Sequence, residues 1–152
     1  MAERLIKFTA TGFGSGFVPL APGTAGTVVG IPLYLILSSL SWPYYLITLL
    51  VLTCLALYLS DKAEKILNEK DSPHIVIDEI IGFQYAMFLV TGTGLHVFLG
   101  FVLFRFFDIV KCFPAGYFHR RLTGGVGIVA DDVLAGIYGN IVLLLIIKFY
   151  GI

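Results

Sequence analysis

An all-α, compact polytopic membrane bundle of about four to five membrane helices is the fold class this sequence predicts, as a single domain over residues 1–152. Three observations predict it. Apolar residues make up 58% of the chain and charged residues only 13%, against roughly 45–50% and about 25% in an ordinary globular domain. The mean hydropathy is +0.93. Five apolar runs of helix length, Thr24–Leu40, Trp42–Ser60, Ile75–Val90, Leu95–Val110 and Val126–Tyr150, alternate with polar or glycine-rich stretches.

The elements follow in order. The opening "MAERLIKFTATGFGSG" reaches glycines before a hydrophobic stretch develops, so it does not read as a cleavable signal peptide. "VPLAPGTAGTVVG" (18–30) is a proline- and glycine-punctuated turn entering the first apolar helix. The connections Ser41–Pro43 and Thr91–Gly94 are short, so the helices they join are expected to be antiparallel neighbours. Residues 61–74 form a polar, helix-prone segment, and residues 112–125 a second polar loop. The third and fourth runs are short and polar at one end, which suits tilted or partly inserted helices. Cys54 and Cys112 form no C-x-x-C pair and read as small buried hydrophobes, with neither a disulfide nor a zinc site expected.

Charge sets the orientation. With five spans and the N-terminus inside, Arg4, Lys7, Lys62, Lys65, Lys70, Lys111, Arg120 and Arg121 all fall on the cytoplasmic side, and Lys148 alone on the other. The formal net charge is zero, which offers nothing to a nucleic acid.

The same orientation gathers the acids. "IVADDVLAG" places Asp131 and Asp132 within an apolar, small-residue stretch. An Asp at the centre of a membrane helix costs roughly 2.5–3.5 kcal/mol, so the pair needs a positive partner or a place near the bilayer edge. Asp78 and Glu79 open the third run, Arg105 and Asp108 close the fourth, and Asp131 and Asp132 begin the fifth. All are at the cytoplasmic ends of their helices, where an active site is expected.

The residue types point to phosphate chemistry. Four carboxylates on two helices are hard oxygen donors that suit Mg²⁺, which keeps waters and binds substrate phosphate as well. The plainer reading of Asp78 and Glu79 is an ordinary acidic helix start. "FRFFDIVKCFP" spaces Arg105, Asp108 and Lys111 at i, i+3 and i+6, on one third of a helix circumference. Arginine can clamp a phosphate through two donors and lysine can neutralise it. The plainer reading there is positive-inside anchoring with one internal salt bridge. The turn around Gly23 can aim backbone N–H groups and the Thr24 and Thr27 hydroxyls at an anion. It is not a Walker A loop, since no Gly-Lys-Ser/Thr follows; Cys112 has no arginine six residues on, and no D-x-D-x-T motif exists. His74, His96 and His119 are unclustered, and His96 reads as structural.

A small transporter or ion-pathway protein using the same ionisable residues is the rival reading. It needs charges distributed across the bilayer, whereas Trp42–Ser60 carries none and the others cluster at one side.

The ordered motifs "PLAPGTAGT", "DEIIG", "RFFDIVK" and "GGVGIVADDVLAG", from about Gly12 to Gly136, resemble the phosphatidylglycerophosphatase A family of bacterial membrane enzymes. Two positions differ from the family's common pattern: Cys112 follows Lys111 where Pro is frequent, and Thr27 stands where Ser is common. The resemblance implies a Mg²⁺-dependent hydrolase of the inner membrane that takes the terminal phosphate from phosphatidylglycerophosphate. Residues and resemblance together give Asp78, Glu79, Asp131 and Asp132 as metal ligands. They give Gly23, Thr24, Thr27, Arg105 and Lys111 as substrate contacts, and Asp131, Asp132, Asp108 and Lys111 as catalytic candidates. Asp108 either orients Arg105 and Lys111 or joins the metal shell.

Overall fold

A computed structural model describes residues 1–110 and 125–151. Within them the chain is helical, in the order α1 (Ala2–Ala10), a short 3-10 turn (Ser15–Phe17), α2 (Pro22–Leu37), α3 (Trp42–Leu67), α4 (Ile77–Ala86), α5 (Gly94–Val110) and α6 (Gly125–Tyr150).

The boundaries have local causes. Pro22 and Pro43 sit in the first turns of α2 and α3, where a missing N–H costs nothing. Asn68 ends α3 in the left-handed conformation at φ 52°, its N–H closing onto Glu64 O. α3 and α6, each of 26 residues, are long and apolar enough to cross a bilayer. Only 28% and 22% of their most apolar windows are buried within the protein, which is consistent with membrane association. Their outer faces instead carry exposed Ile47, Val51, Leu55, Ile141 and Leu145. Cys54 belongs to this outer face and is exposed, which corrects the expectation that it is buried. α1 is amphipathic, with Leu5 and Phe8 exposed beside Arg4 and Lys7.

The third apolar run, Ile75–Val90, is not a spanning helix. α4 has 10 residues, about 15 Å of helix against the roughly 30 Å of a hydrocarbon core. Eight of those residues are buried, and α4 forms the centre of the bundle, with its most extensive contact against α6. Phe83 stands edge-on between Tyr34 and Phe104, with both ring centroids 6.3 Å away.

A helix that stops inside the bundle leaves its last carbonyls without partners. Three neighbours supply donors. Tyr45 Oη donates to Gln84 O at 3.0 Å, and Asn140 Nδ2 donates to Ala86 O at 3.0 Å and Phe88 O at 2.7 Å. Tyr34 Oη donates to Val90 O at 2.8 Å. Side chains from α3 and α6 thus hold the end of α4, and Tyr34 of α2 holds the segment beyond it.

Candidate active site

The start of α4 is held from the N-terminal side. Val76 N donates to Ala10 O at 3.0 Å. His74 Nδ1 is 2.8 Å from Gly16 O, an acceptor only, so that nitrogen carries the proton. The imidazole also stacks on Phe17 at 4.7 Å. Gly16 packs against the His74 carbonyl and Gly26 against Val76, both so closely that a methyl group would clash. His74 is therefore a strut.

Two glycines set how closely α4 and α6 cross. Gly82 lies one turn beyond Asp78, and Gly136 one turn beyond Asp132, so each shares a helix face with its acid. A Cβ on Gly82 would fall 2.8 Å from Asp132 O, and one on Gly136 would overlap Gly82 O. With no side chains between them the backbones meet, and the acids one turn earlier are brought together. Asp78, Glu79 and Asp132 each offer an oxygen within 4.8 Å of the others. Asp78 and Asp132 are 8% and 4% exposed. Asp78 Oδ1, Glu79 Oε2 and Asp132 Oδ2 are buried and find no hydrogen-bond donor among the described residues.

Asp78 and Glu79 thus bring carboxylate oxygens close together from adjacent positions of one helix. Two carboxylates approach in this way by sharing a proton or a cation. Three all-oxygen ligands with orphaned lone pairs fit a hard divalent ion such as Mg²⁺ better than a softer metal that selects thiolate or imidazole. Asp131 is as buried as Asp132 and lines the same cleft, but it stands outside the group of three. Adjacent helical residues diverge by about 100°, and the Gly82–Gly136 crossing turns Asp132 toward α4.

The cationic side comes from α5. Arg105 Nη1 lies 2.6 Å from Asp108 Oδ2, and the two side chains are 17% and 13% exposed. The N–H is poorly aligned with that oxygen, so the contact is an ion pair rather than a good hydrogen bond. Arg105 Nε has no acceptor among the described residues. The first turn of α2 abuts this pair: a Cβ on Gly23 would overlap Glu79 Oε1 and come within 3.0 Å of Arg105 Nη1. No side chain caps α2, so its first N–H groups remain available at that point. Thr24 is half-buried in the same turn.

Thr27, expected as a substrate contact, is fully buried and donates its hydroxyl to Gly23 O at 2.8 Å. It braces the turn rather than facing the cleft. Lys111, Cys112 and His119 lie outside the described residues.

Asp78, Glu79, Asp108, Asp131 and Asp132 share one cleft of about 210 Å³, whose rim is Asp71, Ser72 and Pro73. The rim was missed in the sequence, where 61–74 read only as a polar connection. Its signal was the "DSP" turn. Asp71 takes a left-handed φ of 54°, and its N–H donates to Glu64 Oε1 at 2.7 Å. At the opposite end of α5, buried His96 has Nδ1 2.8 Å from Thr91 O, the structural place expected for it.

Residues 8–147 match the family model described as phosphatidylglycerophosphatase A. The chain belongs to that family. It is 38% identical over 129 residues to phosphatidylglycerophosphatase A of Escherichia coli K12, covering 84% of this chain and 75% of that one. With phosphatidylglycerophosphatase A of Haemophilus influenzae it shares 39% over 146 residues, or 93% and 88% of the two chains. The name of a third relative, from Bacteroides thetaiotaomicron, proposes a phosphatidylinositol-3-phosphatase; it is 39% identical over 143 residues, 88% of this chain and 87% of that one. No solved structure matches the chain. Membership of the phosphatidylglycerophosphatase A family makes the protein a phosphatase, a phosphoric monoester hydrolase, and decides against the ion-pathway reading.

Proposed function

We propose that this protein removes the terminal phosphate of phosphatidylglycerophosphate, giving phosphatidylglycerol and inorganic phosphate, with Mg²⁺ held by Asp78, Glu79 and Asp132. One observation carries this reading: Asp78, Glu79 and Asp132, each with a buried oxygen lacking a donor among the described residues, line one cleft with Asp108, while Arg105 and the uncapped start of α2 abut at Gly23 beside Glu79. That is an arrangement of opposite charges suited to a dianionic phosphoryl group and a divalent ion.

Phosphate-ester hydrolysis is very slow unaided, and the main task is to stabilise charge on the transferring phosphoryl group. Mg²⁺, when bound, supplies a Lewis acid and a template for substrate oxygens. Arg105 clamps non-bridging oxygens, and Asp108 positions its guanidinium. The backbone N–H groups of Gly23 and Thr24 donate to the same anion, helped by the positive end of the α2 dipole. Thr27 is a positioning residue, holding the Gly23 carbonyl back along the helix. Lys111, three residues after Asp108 in the sequence, supplies a further positive charge. Asp131, in the cleft but outside the metal group, takes the proton as water attacks phosphorus; the phosphorus–oxygen bond to glycerol breaks, the departing alkoxide takes a proton from solvent, and Asp131 then returns its own proton to solvent.

The Lys/Arg asymmetry supports an inner-membrane protein whose site opens to the cytoplasm. There, substrate chains stay in lipid while the headgroup enters the cleft. Phosphate release from phosphatidylglycerophosphate in mixed micelles, by purified protein with Mg²⁺ or with excess EDTA, tests the proposal. Release with Mg²⁺ and its loss with EDTA are expected. Full activity in EDTA overturns the metal assignment, and no release from this lipid under any condition overturns the substrate.

A further inference from the structure

Apolar side chains cover most of the outside of this bundle, so exposure alone marks no site. One exposed seam differs because it leads to Arg105 and the uncapped first turn of α2, beside Glu79. On α2, Thr24, Val28 and Leu35 fall at i, i+4 and i+11 and share one flank. Val28 and Leu35 are 51% and 57% exposed. The opposite flank of α2, with Val29 and Leu33, is turned toward α1 and α3. On α5, Phe98, Phe101 and Arg105 fall at i, i+3 and i+7. Phe98 is 62% exposed and Phe101 is half-buried. The far flank of α5 packs on α6, where Phe107 meets Tyr138 at 5.8 Å. α2 and α5 both lean on α4 far more than on each other. At one end of these flanks the helices meet, where Gly23, the residue before Thr24, abuts Arg105 beside Glu79.

We propose that the seam between α2 and α5 is the acyl-chain site of the lipid substrate, a lateral entry from the bilayer that ends at Arg105 and Thr24. The proposal rests on the lipid phosphomonoester reading above. Its occupant follows from what the seam joins. One end is a guanidinium beside an uncapped helix start, which recognises an anionic phosphate. The rest presents exposed Val28, Leu35 and Phe98 along two neighbouring helices, apolar surface that recognises hydrocarbon. A molecule that satisfies both is an amphiphile with a phosphate head and a long chain. A soluble phosphate ester uses only one end.

Two measurements test this, each beside wild-type phosphate release from the same vesicles as a control for the activity itself. First, a photoactivatable residue is placed at position 28, 98 or 47, the last being an exposed lipid-facing site on α3. Vesicles carry trace labelled phosphatidylglycerophosphate or labelled phosphatidylglycerol, with EDTA present to stop turnover. Positions 28 and 98 should label the phosphomonoester lipid at least about fivefold over phosphatidylglycerol, while position 47 labels both alike. Equal labelling of both lipids at all three positions overturns the proposal. Second, Val28→Trp fills the seam and should raise KM for the dioleoyl substrate about tenfold with kcat within about twofold, while Ile47→Trp leaves both unchanged. An unchanged KM in a folded Val28→Trp protein overturns it as well. Should wild type release no phosphate while Ile47→Trp and wild type melt alike, the lipid-phosphatase reading itself has failed.

Discussion

Gly23→Ala should separate folding from catalysis. The new Cβ would overlap Glu79 Oε1 and sit 3.0 Å from Arg105 Nη1. The clashing atoms are the ends of flexible side chains, so the fold can yield by swinging Glu79 and Arg105 aside rather than moving a helix. Alanine also favours helix over glycine by up to about 1 kcal/mol. Thermal stability in detergent should therefore be unchanged or slightly raised. Activity should not survive the same movement. Glu79 belongs to the group of three acids whose oxygens lie within 4.8 Å of one another, and Arg105 is the described cation beside it. A displacement of about 1 Å at reacting groups can cost about a hundredfold, equivalent to roughly 2.7 kcal/mol of transition-state stabilisation. The assay is kcat/KM on phosphatidylglycerophosphate at saturating Mg²⁺, beside a melting curve of the same preparation. Turnover within about threefold of wild type would refute the reasoning, because it would mean that close contact between α2 and Glu79 is not needed for chemistry.

Four further outcomes follow from the same geometry. Asp132→Asn should lower kcat by at least about a hundredfold, and Asp131→Asn should lower it too; near-normal turnover of both would remove the pair from the mechanism. Mg²⁺ at about a hundred times its Kd should stabilise wild type by roughly 2.7 kcal/mol, and Asp132→Asn should lose most of that shift in melting temperature while melting no lower than wild type in EDTA, since a buried carboxylate has been removed. Asn140→Leu withdraws the donor from Ala86 O and Phe88 O and should cost about 1–3 kcal/mol of stability, read as a lower midpoint of unfolding. Tags inserted near residues 66 and 117 should report the cytoplasm and one near Ser41 the opposite side; finding 66 and 117 on opposite faces would separate the halves of the site.

The sequence by itself determined whatever depends on local spacing. Apolar runs mark helices because burial and backbone satisfaction act over a single segment, and α3 and α6 appear close to where their hydropathy puts them. The Arg105–Asp108 pair is legible because i and i+3 lie on one helix face whatever surrounds them. Depth is legible too, because acids at like ends of antiparallel helices share a level. What meets across that level is not. Asp131 and Asp132 are equivalent in composition, and the Gly82–Gly136 crossing alone decides that Asp132 joins Asp78 and Glu79. Thr27 carries a free hydroxyl in the sequence and a committed one in the structure, because the turn that follows Gly23 offers it a carbonyl one helical turn back. The third apolar run is long enough to suggest a membrane helix, yet α4 stops after 10 residues. Carbonyls of its last turn are satisfied by Tyr45 and Asn140, 39 and 54 positions away from their acceptors. Local periodicity reaches only a few residues along a chain; where one backbone touches another is set by the absence of a side chain at the crossing and by donors that arrive from elsewhere.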